Sequence, residues 1–259
     1  RKELSLLMIY QALGTFDIVL AEATVFETLA DAMAALPGLV EQDLATIELL
    51  DAASLRVAQG LSDVPATIAQ IDVDGHAALL VEVHAADDEA LTVARDEALA
   101  RFAALPLASP ADLTTDGVER AALWQVRKGL YTAVAGARPS GTTALLEDIV
   151  VPVDRLLVTC ERLIELFEKH EYGESVIFGH AKDGNVHFLL SERFDDPSSL
   201  ARYQRFTDDL VDLVLDHGGS LKAEHGTGRI MAPFVRRQYG DALTDMMWEI
   251  KRMIDPDGI

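Results

Sequence analysis

His180, His187, Glu224 and His225 are the residues of this chain best suited to chemistry, and they fall in two short segments. The first reads Phe178-Gly179-His180-Ala181-Lys182-Asp183-Gly184-Asn185-Val186-His187-Phe188, the second Lys222-Ala223-Glu224-His225-Gly226-Thr227-Gly228-Arg229. In the first, Asp183-Gly184 signals a hairpin, because glycine supplies the positive φ of a tight return. Val176, Phe178 and His180 would share one face of the incoming strand, and His187 and Leu189 one face of the outgoing strand. Two imidazoles can then enter the same space. One histidine beside a turn is ordinarily just hydrogen-bonded. Two facing each other across a glycine turn, in a chain with four of its seven histidines between 180 and 225, point to a metal. Glu224 would complete a two-histidine, one-carboxylate set with open positions, the pattern of a catalytic ion. Zn²⁺, Mn²⁺ and Fe²⁺ all accept these donors. The competing reading of Glu224-His225 is a solvated helix cap.

The elements that must position these residues alternate along the chain. Strands are expected at 17–23, 45–50, 78–84, 144–151, 174–180 and 185–191. Helices are expected at 24–36 (ended by Pro37-Gly38), 52–59, 87–104, 118–135, 154–169, 197–216, 230–238 and 241–254. The 154–169 segment carries Leu156, Leu157, Cys160, Leu163, Ile164 and Phe167 at helical spacing. Strand–helix–strand units occur twice, with one hairpin. This predicts an α+β fold, an antiparallel sheet with helices packed on one face, built from ferredoxin-like duplicated units. No strand leads into a G-x-G-x-x-G or G-x-x-x-x-G-K-[ST] loop, so no nucleotide site of those kinds is expected.

Composition narrows the partners. The chain has 259 residues, 49% of them apolar, enough for a substantial core. Its 43 acidic and 22 basic residues give a net charge of −21, which argues against nucleic acid and against a basic membrane-binding face. An anionic substrate would need a locally basic pocket within that field. No run reaches the ~18 apolar residues of a membrane span. The N-terminal RKELSLLMIYQALG lacks a signal-peptide cleavage site and reads as a helix. The single cysteine, Cys160, excludes an internal disulfide and a cysteine-held cluster, and reads as buried. A cytoplasmic location is expected, with the whole protein peripheral to the inner membrane as a variant of it.

HAKDGNVH at 180–187 matches an H-x-x-D-G-N-x-H segment, and EHGTGR at 224–229 an E-H-G-[ITV]-G-[RK] segment. Trp124-Gln125-Val126-Arg127 looks like a W-x-x-R helix, and Glu147-Asp148-Ile149-Val150-Val151-Pro152 contains a D-[VI]-x-[VL]-P strand. The ending from Lys251 to Asp255-Pro256-Asp257-Gly258-Ile259 is like K-x-x-x-D-P-x-G-[IL]. In this order these motifs resemble the C-terminal substrate, or cap, domain of FAD-linked oxidases, the group of D-lactate and D-2-hydroxyglutarate dehydrogenases. They cover the chain from about residue 120 onward, and the first 115 residues match loosely.

The resemblance implies a role for each matched residue. His180, His187 and Glu224 would bind a divalent metal, His225 would be the general base, and Arg127 would grip a substrate carboxylate. The metal would chelate the hydroxyl and carboxylate of a 2-hydroxyacid and lower the hydroxyl pKa. His225 would take that proton as hydride leaves for the flavin, and Arg127 would supply two-pronged recognition. By itself Arg127 also reads as a surface arginine on an amphipathic helix. Leu189 and Leu146 stand where hydroxyglutarate-type relatives carry Asn and Lys, which favours a smaller, D-lactate-like substrate. The resemblance also implies FAD, held mainly by an upstream FAD-binding domain, and an iron–sulfur domain or electron carrier as a further partner. Residues 1–23 would be the tail of that flavin domain and 24–259 the substrate domain. On this reading the chain is an excised part of a longer dehydrogenase and is inactive alone. The alternatives are a metal-dependent hydrolase, with His225 activating a metal-bound water, and a binding module without catalysis.

Overall fold

The computed structural model describes residues 18–259 apart from 43 and 174. The helix expected over residues 1–14 lies outside these. Among the described residues six strands form one sheet: β1 (Ile18–Phe26), β2 (Thr46–Leu50), β3 (Ala77–Ala85), β4 (Thr143–Val150), β5 (Val176–Gly179) and β6 (Asn185–Glu192). Their order is β1-β3-β2-β5-β6-β4, and every neighbouring pair is antiparallel. The helices are α1 (Leu29–Val40), α2 (Ala52–Ala58), α3 (Ala66–Ala69), α4 (Asp88–Phe102), α5 (Gly117–Ala137), α6 (Leu156–Lys169), α7 (Pro197–Asp216), α8 (Gly228–Met231) and α9 (Val235–Ile254).

The duplication is visible in the strand order. The first half contributes β1-β3-β2 from one edge, the second half β4-β6-β5 from the other, and the halves meet where β2 pairs with β5. That seam is short: Leu49 lies opposite Gly179 and Leu50 opposite Phe178. Strand alternation sends Leu20, Ile47, Leu49, Leu79, Val81, Ile149, Ile177, Val186 and Phe188 to one face. There they pack with Leu36, Phe102, Leu156, Cys160, Leu163, Phe206 and Leu210 of α1, α4, α6 and α7. Cys160 is buried among them, and burial pushes its thiol up to about 12, as expected of an inert core residue.

The antiparallel α+β class is as expected, and the second face of the sheet is covered as well. Ala21, Ala23, Leu50, Leu80, Val176, Phe178 and Leu189 point there and meet Leu55, Ile68, Leu123, Val126 and Leu130 of α2, α3 and α5. Layering on both faces explains why β3 and β6 are buried along almost their whole length.

Several boundaries differ from the sequence reading; where helices at 230–238 and 241–254 are expected, one helical run covers Val235–Ile254 with a kink at Gly240 (φ 73°). β1 continues to Phe26, paired with β3 along its whole length, so α1 begins only after Thr28, whose hydroxyl accepts from the Asp31 N–H. The expected domain boundary after residue 23 therefore falls inside a paired strand. α1 also runs through Pro37 to Val40: the proline sits near the helix end, where its missing N–H removes a single bond, and its carbonyl still accepts from Glu41. Side-chain caps also start two longer helices. Asp87 accepts from the Ala90 N–H at the start of α4, and Asp196 from Ser198 and Ser199 at the start of α7. Among the described residues no helix is long and apolar enough to cross a membrane.

Candidate functional site

The expected hairpin forms around a short 3₁₀ turn, Ala181–Asp183, with Gly184 left-handed at φ 68°. Two glycines are required by space as well as by φ. A Cβ at Gly179 (φ 149°) would come within 2.8 Å of the Asn185 carbonyl oxygen, and one at Gly184 would run into the Val151 carbonyl. This close approach lets His180 leave the sheet just as β6 returns beside it. Phe178 and His187 are directly paired, and His187 is paired on its other side with Asp148 of β4. Phe178, His187 and Asp148 therefore share the face that α5 covers.

The second segment, 222–227, runs from the Ser220–Val150 bridge to the start of α8. Its path is set by Asp148, a fully buried carboxylate. One oxygen, Oδ2, accepts from three successive main-chain N–H groups, those of Ala223 (3.0 Å), Glu224 (2.8 Å) and His225 (2.8 Å). The other, Oδ1, accepts from the Asn185 amide at 2.7 Å and lies 3.5 Å from His187 Nδ1. Burial would raise the Asp148 pKa, but His187, these N–H groups and Asn185 outweigh it and hold the carboxyl well below its usual range. On the opposite face of β4, Glu147 accepts from the Lys222 ammonium at 2.6 Å, a second tether on the same loop.

The two segments converge. Glu224 Oε1 lies 3.2 Å from His180 Nε2, 3.2 Å from His187 Nε2 and 3.7 Å from His225 Nε2. The rings of His180 and His187 are perpendicular with centroids 5.3 Å apart, and His225 stacks on His187 at 4.8 Å. The donor atoms of His180, His187 and Glu224 lie within 4.8 Å of one another, and so do those of Asp148, His187 and His225. The first set is the better cation site. Two ligands at about 2.0–2.2 Å from one ion are separated by roughly 3.0–3.5 Å, the spacing Glu224 keeps from both histidines. Asp148, by contrast, already spends its oxygens on the backbone and Asn185.

Both hairpin histidines are backed by buried carboxylates. His180 Nδ1 is 2.5 Å from Glu48 Oε1, and His187 Nδ1 faces Asp148 at 3.5 Å, too long for a strong hydrogen bond. The Glu48 hydrogen bond raises the His180 pKa against the opposing effect of burial. Glu48 is itself held below the usual carboxylate range: burial would raise it, but His180 and the Arg127 charge prevail.

Arg127 reaches this group indirectly. Its Nε donates to Glu48 Oε2 at 2.6 Å, and its guanidinium carbon lies 4.9 Å from the Phe178 ring centroid. Nη1 and Nη2 make no hydrogen bond among the described residues. One helical turn earlier, Trp124 donates its indole N–H to Glu82 of β3 at 2.5 Å, fixing α5 over the sheet. Leu146 and Leu189 lie opposite each other on the same face, one pair removed from Asp148 and His187 along it. The sequence motifs thus bring together His180, His187, Glu224 and His225, with Arg127 linked to them through a residue that no motif contained. Glu48 and Asp148 are the functional neighbours missed. The available signals were an acid inside the apolar strand Ile47-Glu48-Leu49-Leu50 and the aspartate of the D-[VI]-x-[VL]-P strand.

A family model described as FAD linked oxidases, C-terminal domain, matches residues 20–259. This chain belongs to that family. The glycolate oxidase subunit GlcD of Escherichia coli is 27% identical over 214 residues, covering 82% of this chain and 40% of that protein. A probable mitochondrial D-lactate dehydrogenase of Danio rerio is 30% identical over 142 residues, covering 54% of this chain and 28% of the relative. The chain thus spans less than half the length of the curated relatives it matches. Among solved structures, p-cresol methylhydroxylase with substrate bound aligns over 93% of this chain and 51% of its own, with a TM-score of 0.65 at 12% identity. Alkyldihydroxyacetonephosphate synthase aligns over 93% and 44%, with a TM-score of 0.60 at 13% identity. These structures share the fold.

Proposed function

We propose that this chain is the substrate- and metal-binding domain of an FAD-dependent dehydrogenase that oxidises a small D-2-hydroxyacid, of the D-lactate kind, to the 2-oxoacid. The observation that carries this is the convergence of three imidazole Nε2 atoms on Glu224 Oε1, with carboxylates behind both hairpin histidines. Such backing fixes the ring orientation and the tautomer that turns Nε2 toward a cation, and makes that nitrogen a more basic ligand. The donor set fits a divalent ion of the Zn²⁺, Mn²⁺ or Fe²⁺ kind, with His180, His187 and Glu224 as ligands. Bound there, the ion would supply Lewis acidity to the hydroxyl and carboxylate of a 2-hydroxyacid. FAD, carried by the flavin-binding part of the enzyme, would accept the hydride from the carbinol carbon.

This chain's own residues divide the remaining work. His225, stacked on His187 and partly exposed, accepts the hydroxyl proton at Nε2. Arg127, fixed at Nε by Glu48, offers Nη1 and Nη2 to a carboxylate. The Leu146–Leu189 pair lends the neighbouring sheet face an apolar character that suits a short side chain. The glycolate and D-lactate names among the relatives support a small hydroxyacid.

Metal analysis of the wild type against His180→Ala and Glu224→Ala tests the centre. The wild type is expected to bind one divalent ion and both variants to lose it; equal metal content in all three rules the assignment out. Titration of the metal-loaded chain with D-lactate, using L-lactate as control, tests the substrate class.

A further inference from the structure

Glu48 comes from β2 in the first half of the duplicated sheet, whereas the donor atoms of the candidate centre all come from the second half. Because Leu49 and Leu50 pair with Gly179 and Phe178, Glu48 lies one step beyond the end of β5, where His180 leaves the sheet. Alternation turns it to the face of Phe178 and His187. Its side chain is 4% exposed, and among the described residues each carboxylate oxygen has one partner: Oε1 the Nδ1 of His180 at 2.5 Å, Oε2 the Nε of Arg127 at 2.6 Å.

We propose that Glu48 is a positioning residue for the metal centre, clamped from behind by Arg127 so that it fixes the ring of His180. The proposal rests on the reading of His180, His187 and Glu224 as metal ligands. Both partners of Glu48 are donors, so the link works only if both of its oxygens accept. His180 is the ligand that needs this support most. It sits outside the ladder at φ −80°, ψ 75°, whereas His187 is locked within β6 between Phe178 and Asp148. The carboxylate holds Nδ1, which turns Nε2 toward Glu224. Arg127 in turn prevents Glu48 from swinging away, because its own guanidinium is pinned against Phe178. The first half of the fold therefore contributes to the centre across the seam, through one side chain.

For Arg127→Leu a position effect and a charge effect predict opposite signs, which makes the proposal testable. Glu48→Gln removes a negative charge and replaces one acceptor by an NH₂ that meets a donor. Arg127→Leu removes a positive charge near the cation, which on charge alone should tighten binding. If Glu48 positions His180, both variants weaken it. Co²⁺ affinity is measured on this chain by competition titration, with circular dichroism to confirm folding. Glu48→Gln is expected to weaken binding about 10- to 100-fold. Arg127→Leu, which leaves every ligand in place, is expected to weaken it on the order of three- to tenfold, less than direct loss of a supporting carboxylate. Binding by Glu48→Gln within twofold of wild type, or equal or tighter binding by Arg127→Leu, overturns the proposal while the metal centre stands. Absence of Co²⁺ binding by the wild type overturns both. Should Glu48→Gln fail to fold, the sign of the Arg127→Leu effect still decides.

Discussion

The two faces of the sheet near β4 and β6 carry buried carboxylates in very different company. On the face covered by α6 and α7, Glu147 is matched by the Tyr203 hydroxyl and the Lys222 ammonium, and Glu192 by the Tyr172 hydroxyl and two nitrogens of Arg202. These are closed networks: each carboxylate has matching donors among the described residues. On the face covered by α5, Glu48 and Asp148 lean on imidazoles whose far nitrogens converge on one carboxylate oxygen. That network is open at one end. The same ingredient, a buried acid on a strand, serves cohesion in one place and, on the proposed reading, prepares a cation site in the other; what differs is whether its partner keeps a far ring nitrogen able to bind a cation.

This contrast can be broken at several points. The largest effect is expected at the open end itself: Glu224→Ala or His187→Ala should weaken Co²⁺ binding by more than about 100-fold, beyond what loss of a supporting carboxylate produces, with little change in unfolding midpoint. Next is Asp148→Asn, which leaves the three N–H groups of 223–225 facing an amide. It should lower unfolding free energy in urea by about 3 kcal/mol and also weaken Co²⁺ binding. Within the closed network, Glu192→Gln should lower stability by about 2 kcal/mol while Co²⁺ affinity stays within twofold; a change in affinity would show that the two faces are not independent. The smallest effect concerns pH. Glu22 on β1 is pushed up to about 7, chiefly by burial with the Asp112 charge adding to it, so it folds as the neutral acid. Its stabilising share is fully present below its unfolded value near 4.5 and is lost as pH rises through about 7. Between pH 5 and 8, Glu22→Gln should therefore lose less stability than the wild type, by on the order of 1–2 kcal/mol, measured by urea unfolding across that range.

Sequence patterns made the hairpin and the Glu224-His225 corner legible because glycine, turn and ligand types recur there within a few residues. The duplicated antiparallel sheet was legible from its strand–helix order. The covering of the second face was not: α5 shows Leu123, Val126 and Leu130 at helical spacing, but spacing does not say which face of a sheet receives them. Glu48 and Asp148 were hidden for a related reason. An acid in an apolar strand reads as solvent-facing, and only distant contacts, 132 residues on for Glu48 and 37 to 77 residues on for Asp148, reveal that it faces a histidine or a loop. Arg127 was found by its motif, but its Nε partner could not be, since that partner lies on a strand 79 residues earlier.

Asp148 holds the loop at residues 223–225 by its main chain. An N–H donates equally well whatever side chain its residue carries, so positions 224 and 225 can change type while the loop keeps its course. The fold thereby separates where a group stands from what the group is. A lineage, or a designer, can exchange carboxylate for imidazole or thiolate at residue 224 and sample new chemistry without first rebuilding the scaffold that presents it.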